Sequence, residues 1–450
     1  LLGDQVQLTL TSLDNTGTVQ AEQDIQLVLA SSLNNVSKII AGTDLKITSG
    51  DASTTLNVSN QTDAVIQAGG LLKINNSSNA DNVTLDTQAG TLLAEQIDLK
   101  LSSLNNAGTL QSNQDMSLAI RNSLSNSGTL LAKTTLDTTA QTVINSGILQ
   151  ATQGVTLTAT SLENSGTLIG SDTAGIDVNF DLETLTNSAS GTIQSAQDLN
   201  LHLKTSVDNS GKLLADRDLL VDATDSASTL ALTNQSTGVM QASALLTIKG
   251  TNDASNVTLD TQAGTLLAEQ LNLTLASLTN GGLIQAGATG SAIAITNTLL
   301  NDDTGSLILS IGGTGNSTVN ANSLNNKGSL QASGNALLTI ADELDNSGEI
   351  LMASDLTLRG SDDAYTINTS GRMQSAGHLD IKGNIGDGST DNDDVEAVNI
   401  GAGGVTMANS LTLNATSLTL EYDGNLDDGG MLSTLGSMDV NVNTLTLEGY

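Results

Sequence analysis

Ser161-Leu162-Glu163-Asn164-Ser165-Gly166-Thr167-Leu168-Ile169-Gly170 reads as the end of one hydrophobic strand, a sharp corner and the start of the next strand. The phrase returns as Ser12-Leu13-Asp14-Asn15-Thr16-Gly17-Thr18-Val19-Gln20-Ala21, and its second half as Gly108-Thr109-Leu110-Gln111-Ser112, Gly128-Thr129-Leu130-Leu131-Ala132, Gly264-Thr265-Leu266-Leu267-Ala268 and Gly328-Ser329-Leu330-Gln331-Ala332. Self-similarity at a short fixed period marks a solenoid, in which a coil buries its apolar side only against the next coil. From Gly17 to Gly371 successive markers lie 18 to 27 residues apart. Two helices per repeat need about 33 residues, so each coil is built of short strands and turns. Alternation shows the strands: Ile25, Leu27 and Leu29 face one way and Gln26 and Val28 the other, as do Leu99, Leu101 and Leu104 in a later coil.

The fold class that follows is all-β, a single-stranded parallel β-helix of about 20 coils with a rise of about 4.8 Å per coil. Residues 1–384 are expected to form regular coils, 385–404 a Gly/Asp-rich insertion and 405–450 irregular C-terminal coils. Residues 17–113 align without a gap to 191–287, and Asn82–Gln96 recurs unchanged as Asn256–Gln270, which indicates duplication of an eight-coil module. The chain starts at Leu1 without Met and is expected to be an interior piece of a longer polypeptide.

Two residue patterns run above the coil. Asparagine stands two places before the marker glycine at Asn15, Asn106, Asn126, Asn145, Asn164, Asn209, Asn326 and Asn346. Asn and Gly enter positive φ at least cost, so the pair suits a sharp corner repeated in register, with amides able to stack from coil to coil. Three places after each marker, glutamine and aliphatic residues alternate without a miss. Gln20, Gln67, Gln111, Gln150, Gln194, Gln241, Gln285, Gln331 and Gln374 interleave with Ile40, Leu93, Leu131, Ile169, Leu214, Leu267, Ile308 and Leu351. On strand alternation these point outward and form a possible contact stripe with a period of about 10 Å.

With 48 acidic and 14 basic residues the net charge is −34, which removes nucleic acid as a partner because phosphate binding needs a basic track. The same charge disfavours an anionic membrane surface and keeps neighbouring molecules apart. No apolar run reaches the length of a membrane span. Cysteine, proline and tryptophan are absent, which excludes disulfides and thiolate metal sites.

The recurring Ser-Leu-x-Asn-x-Gly-x-Leu-x-Ala, over nearly the whole chain to about Gly377, resembles the haemagglutinin repeats of filamentous haemagglutinin-type exoproteins. That resemblance implies a right-handed parallel β-helix, export by two-partner secretion through an outer-membrane transporter, and a place on the Gram-negative cell surface. The family includes host-cell adhesins and the stick-like effectors of contact-dependent growth inhibition. The implied function is a shaft that projects a distal binding or toxin module toward a target cell. The alternative is that the rod surface itself binds a receptor or glycan.

Some parallel β-helices degrade polysaccharides with carboxylates on adjacent coils. Coils about 4.8 Å apart bring carboxylates together by chance, and His202 and His378 have no companion at ligand spacing. No catalytic residue and no cofactor is assigned. Asp387, Asp391, Asp393 and Asp394 in a Gly-rich loop, and Asp423, Asp427 and Asp428 in another, offer oxygen ligands for calcium without matching a known calcium loop.

Overall fold

The computed structural model describes residues 1–50, 53–76, 82–170, 177–251, 255–361, 365–383, 395–422 and 429–448. Contacts divide the chain into two compact units, Leu1–Arg217 and Asp218–Tyr450. Each is a parallel β-solenoid, with no α-helix among the described residues.

In the first unit a coil consists of one long bent strand and one short strand. Met116–Asn126 is a long strand and Thr129–Ala132 the short one that follows. Each pairs in parallel with the equivalent strand one coil earlier and one coil later. Side-chain alternation slips near the middle of the long strand, where the register with Gln96–Asn106 shifts between Leu101 and Ser103. The chain bends there, so a long strand contributes to two sheets and the short strand to a third. Where an insertion replaces the bend the long strand divides, as into Leu45–Ser49 and Leu56–Asn60. Both pieces still pair with the unbroken strand Ile25–Asn35. Coil length therefore varies without disturbing the stack.

The core is columnar. Leu110, Leu130, Leu149 and Leu168 occupy one inward column and are all fully buried. Leu104, Leu124, Val143 and Leu162 form a second such column from the long strands. In the first unit the last inward place of each short strand holds a small residue, such as Ala132, Ala151 or Gly170. A Cβ on Gly170 would stand 2.1 Å from Val178 Cγ2, so a larger side chain is excluded at that turn.

The second unit repeats the plan with more fusion of segments. Leu283–Asn301 runs through a corner without interruption and pairs with both Ser306–Ser310 and Ser317–Asn326. The last strand, Met438–Leu447, has one neighbouring strand, Val405–Leu420, and its side chains are mostly exposed. Within the expected insertion, Val395–Ile400 is a strand paired with Thr366–Thr369. Asp387, Asp391, Asp393, Asp394, Asp423, Asp427 and Asp428 lie outside the described residues.

The marker glycines correct one expectation. Among the described residues positive φ occurs at Asp63, Gln88, Gln262, Gly290, Gly312 and Gly403, and at none of the marker glycines or corner asparagines. Glycine is required there by crowding between coils. A Cβ on Gly128 would stand 2.1 Å from the carbonyl oxygen of Gly108, and one on Gly147 2.1 Å from that of Gly128. At Gly17 a Cβ would meet nothing within 4 Å. Gly128→Ala is therefore expected to destabilise the protein by about 1–3 kcal/mol through overpacking. Gly17→Ala is expected to stay within about 0.5 kcal/mol of the parent, as measured by urea denaturation followed by circular dichroism.

Candidate functional surface

Two corners and one outer face hold the polar groups that could carry function. At the first corner the asparagines are buried and joined amide to amide. In the first unit Asn15 Nδ2 donates to Asn35 Oδ1 at 2.7 Å, and Asn35 to Asn60 at 2.7 Å. A second run links Asn106, Asn126, Asn145, Asn164, Asn187 and Asn209, at 2.7–2.9 Å per step. In the second unit the run goes through Asn280, Asn301, Asn326 and Asn346 and closes on the Thr369 hydroxyl.

Most of these asparagines also donate to the first carbonyl of the next coil's short strand, as Asn106 does to Thr129 O at 3.1 Å and Asn126 to Ile148 O at 2.9 Å. A buried amide left unmatched is costly, and here the donors and acceptors of successive coils satisfy one another. The ladder is part of the scaffold and offers no free group to a ligand.

Sequence reasoning missed Asn35, Asn60, Asn187, Asn280 and Asn301. Asn60, Asn187 and Asn301 lie four places before Ala64, Gly191 and Gly305, because the corner there contains an extra tight turn such as Gly191 N–H to Ser188 O at 2.7 Å. Asn35 was obscured because Ser37 replaces the glycine, whereas Asn280 precedes Gly282 at the ordinary spacing. Threonine takes the place at Thr87 and Thr261, whose hydroxyls donate to Asn106 and Asn280 at 2.7 Å. Both corners carry a left-handed glutamine, Gln88 and Gln262 at φ 44°, so the duplicated segment keeps its conformation.

The second corner follows the short strand and is where carboxylates bridge coils. Asp24 accepts from the Asp44 N–H at 3.1 Å and the Thr43 hydroxyl, Asp44 from the Leu71 N–H at 2.8 Å, and Asp355 from the His378 N–H at 2.8 Å. Asp115 accepts from the Thr135 hydroxyl at 2.7 Å and from the Thr134 hydroxyl. The Thr134 bond, then that of Thr135, holds the Asp115 carboxyl below its ordinary range. These acids are structural links. Among the described residues no cluster of His, Asp or Glu has the arrangement of a metal site.

The alternating stripe lies on the outer face of the short-strand sheet. In the first unit Gln20 is in register with Ile40, Gln67 with Leu93, Gln111 with Leu131, Gln150 with Ile169 and Gln194 with Leu214. In the second unit the order is Gln241, Leu267, Gln285, Ile308, Gln331, Leu351, Gln374 and Met407. Most of these side chains are half-buried between their neighbours. Beside the second unit's stripe, Ile311 and Gly312 wall one side of a shallow groove of about 520 Å³ floored by Ile308, Gln331, Leu351 and Gln374.

The haemagglutinin repeat profile matches residues 2–68, 94–179, 173–238 and 301–348. The chain belongs to the haemagglutinin-repeat family. The chain is similar to "Deoxyribonuclease CdiA" of Dickeya dadantii (strain 3937), at 33% identity over 247 residues, 55% of this chain and 7% of that protein. It is also similar to "tRNA nuclease CdiA" of Yersinia mollaretii, 27% identical over 275 residues, 60% of this chain and 8% of that protein. A match to "Toxin CdiA" of Escherichia coli, 26% identical over 495 residues, covers 93% of this chain and 15% of that protein. The chain thus spans a small part of the length of these relatives. No solved structure matches it.

Two outcomes are expected. Asn126→Ala leaves the buried Asn145 Oδ1 without its donor and removes the side-chain bond to the Ile148 carbonyl, at a cost of about 1–3 kcal/mol. Asn126→Thr is expected to lose less, because Thr87 and Thr261 serve in the same column; denaturant midpoints of the two variants compare them directly. Asp115 has a lowered folded pKa, so its contribution is present above the unfolded value of about 3.9 and is lost as pH falls through the folded value. Asp115→Asn should therefore melt below the parent at pH 7 and converge with it on acidification below about pH 4, read from thermal scans at both ends.

Proposed function

We propose that this chain is part of the shaft of a secreted exoprotein at the Gram-negative cell surface, a rigid spacer that projects a distal binding or toxin module toward another cell. The observation that carries the reading is that backbone, asparagine and carboxylate bonds all run from one coil to the next. Such a stack resists bending and leaves its exterior free of any obligation to the fold. Family membership supports it, as do the names of the curated relatives, which designate nucleases and a toxin far longer than this chain. Export through an outer-membrane two-partner transporter belongs to the same reading, with the transporter acting on a region other than these coils. The chain itself is read as non-catalytic, because the described carboxylates at its second corner are occupied in linking coils.

A spacer is defined by length. Deleting residues 109–147, two whole coils that keep the stripe in phase, is expected to leave a folded solenoid shorter by about 10 Å, visible by small-angle scattering. The labelled 450-residue chain is expected not to bind target cells. Saturable binding that disappears when Leu131, Ile169 and Leu214 are changed to Gln would replace this reading with one in which the rod surface is the adhesive element, recognising a receptor or glycan.

A further inference from the structure

Charge is distributed unequally over the first unit. Each short strand from Thr18–Ala21 to Lys212–Ala215 presents its first and third residues outward. In a chain with 48 acidic residues, these outward places hold no carboxylate; they are Thr, Gln, aliphatic residues, and Lys38 and Lys212. In the second unit the same face carries one, Glu349, in register with Arg372. The corners bounding the first unit's face differ. The turn after the short strand is acidic, with Glu22, Asp24, Asp44, Glu95, Asp115, Asp177, Asp198 and Asp216, whereas the asparagine-corner turns carry Asp63, with Asp14, Asp86, Glu163 and Asp208 one place before the ladder residue at the ends of the long strands.

We infer that the short-strand face of the first unit is a self-association surface, on which a second copy of this chain packs in parallel about a two-fold axis running along the stripe. Charge selects both the face and the orientation. On a chain of net charge −34, this is the face of the first unit on which two copies meet without opposing carboxylates. A parallel pair sets the acidic corner of one copy against the asparagine corner of the other, whereas an antiparallel pair sets acid against acid. In the parallel pair equal levels meet, so glutamine faces glutamine and aliphatic faces aliphatic. A slip of one coil mismatches every level, and the alternation therefore sets the register.

The area suffices. Ten short strands at about 4.8 Å spacing and about 13 Å length give about 600 Å² per copy. Two copies then bury about 1,200 Å², the lower end of specific interfaces.

Sedimentation analysis of the whole chain is expected to show a reversible dimer that tightens as salt rises and screens the net repulsion. Gln111→Glu with Gln150→Glu should weaken it at least about tenfold, while Ser117→Glu with Thr156→Glu, on an exposed part of another face, should leave it unchanged. The chain lacks cysteine, so a second readout avoids new charge. Leu131→Cys should be cross-linked to its own counterpart by a short bismaleimide, and Ser117→Cys should not. A monomer at all concentrations and salts, a dimer weakened equally by both pairs of glutamates, or equal cross-linking at the two cysteines would overturn the proposal.

Discussion

A coil of this protein cannot satisfy its own backbone. Every strand N–H and carbonyl points along the solenoid, and its partner lies on the coil above or below, about 4.8 Å away. That spacing governs each other feature. It brings Leu110, Leu130 and Leu149 into van der Waals contact as a buried column. It lets an asparagine amide reach the next amide at 2.7–2.9 Å and a corner carboxylate reach the next coil's N–H. It also leaves no room for a Cβ at stacked marker glycines such as Gly108, Gly128, Gly147 and Gly166. Aliphatic column, amide ladder, acidic bridge and bare corner are four solutions to one constraint.

Because stability runs along the stack, the outward positions are free to vary, and the chain uses that freedom to place charge. Carboxylates collect at the second corner, where they also bond to the next coil, and on the outer faces of the long strands. The short-strand face of the first unit is left without them. A projecting element at a crowded surface needs repulsion from most directions to stay extended and soluble. An uncharged face on the same element allows contact along one chosen side. The spacer reading and the pairing of copies use different parts of the molecule, and neither requires the other.

Much of this was legible in the residues. The alternation of Leu99, Leu101 and Leu104 gave the strand, and these side chains are buried as the period indicated, whereas the shift between Leu101 and Ser103 is seen only in the paired coils. The asparagine corner was visible at eight places where a marker glycine follows two residues later, and was overlooked at Asn280, which has the same spacing to Gly282. It was hidden at Asn60 and Asn187 because a tight turn inserted two residues without moving the side chain from its column. The stacked glycines serve close packing between coils rather than positive φ. Positive φ is a local property that a single coil can suggest, whereas the actual reason, the carbonyl of the preceding coil 2.1 Å from a Cβ on Gly128, exists only between coils.

The coil, its period, the inward-facing residues and the alternation of the outer stripe follow from the two-residue period of a strand and the turn chemistry within one repeat, and so can be read from the residues in order. Which groups meet across coils depends on the stacked fold. Thr87 and Thr261 join an asparagine ladder, Asp24 and Asp44 become bridges, and the outward places of successive short strands merge into one face free of carboxylates in the first unit. Residues about twenty apart in the chain become neighbours only through stacking, and that register is a property of the assembled column.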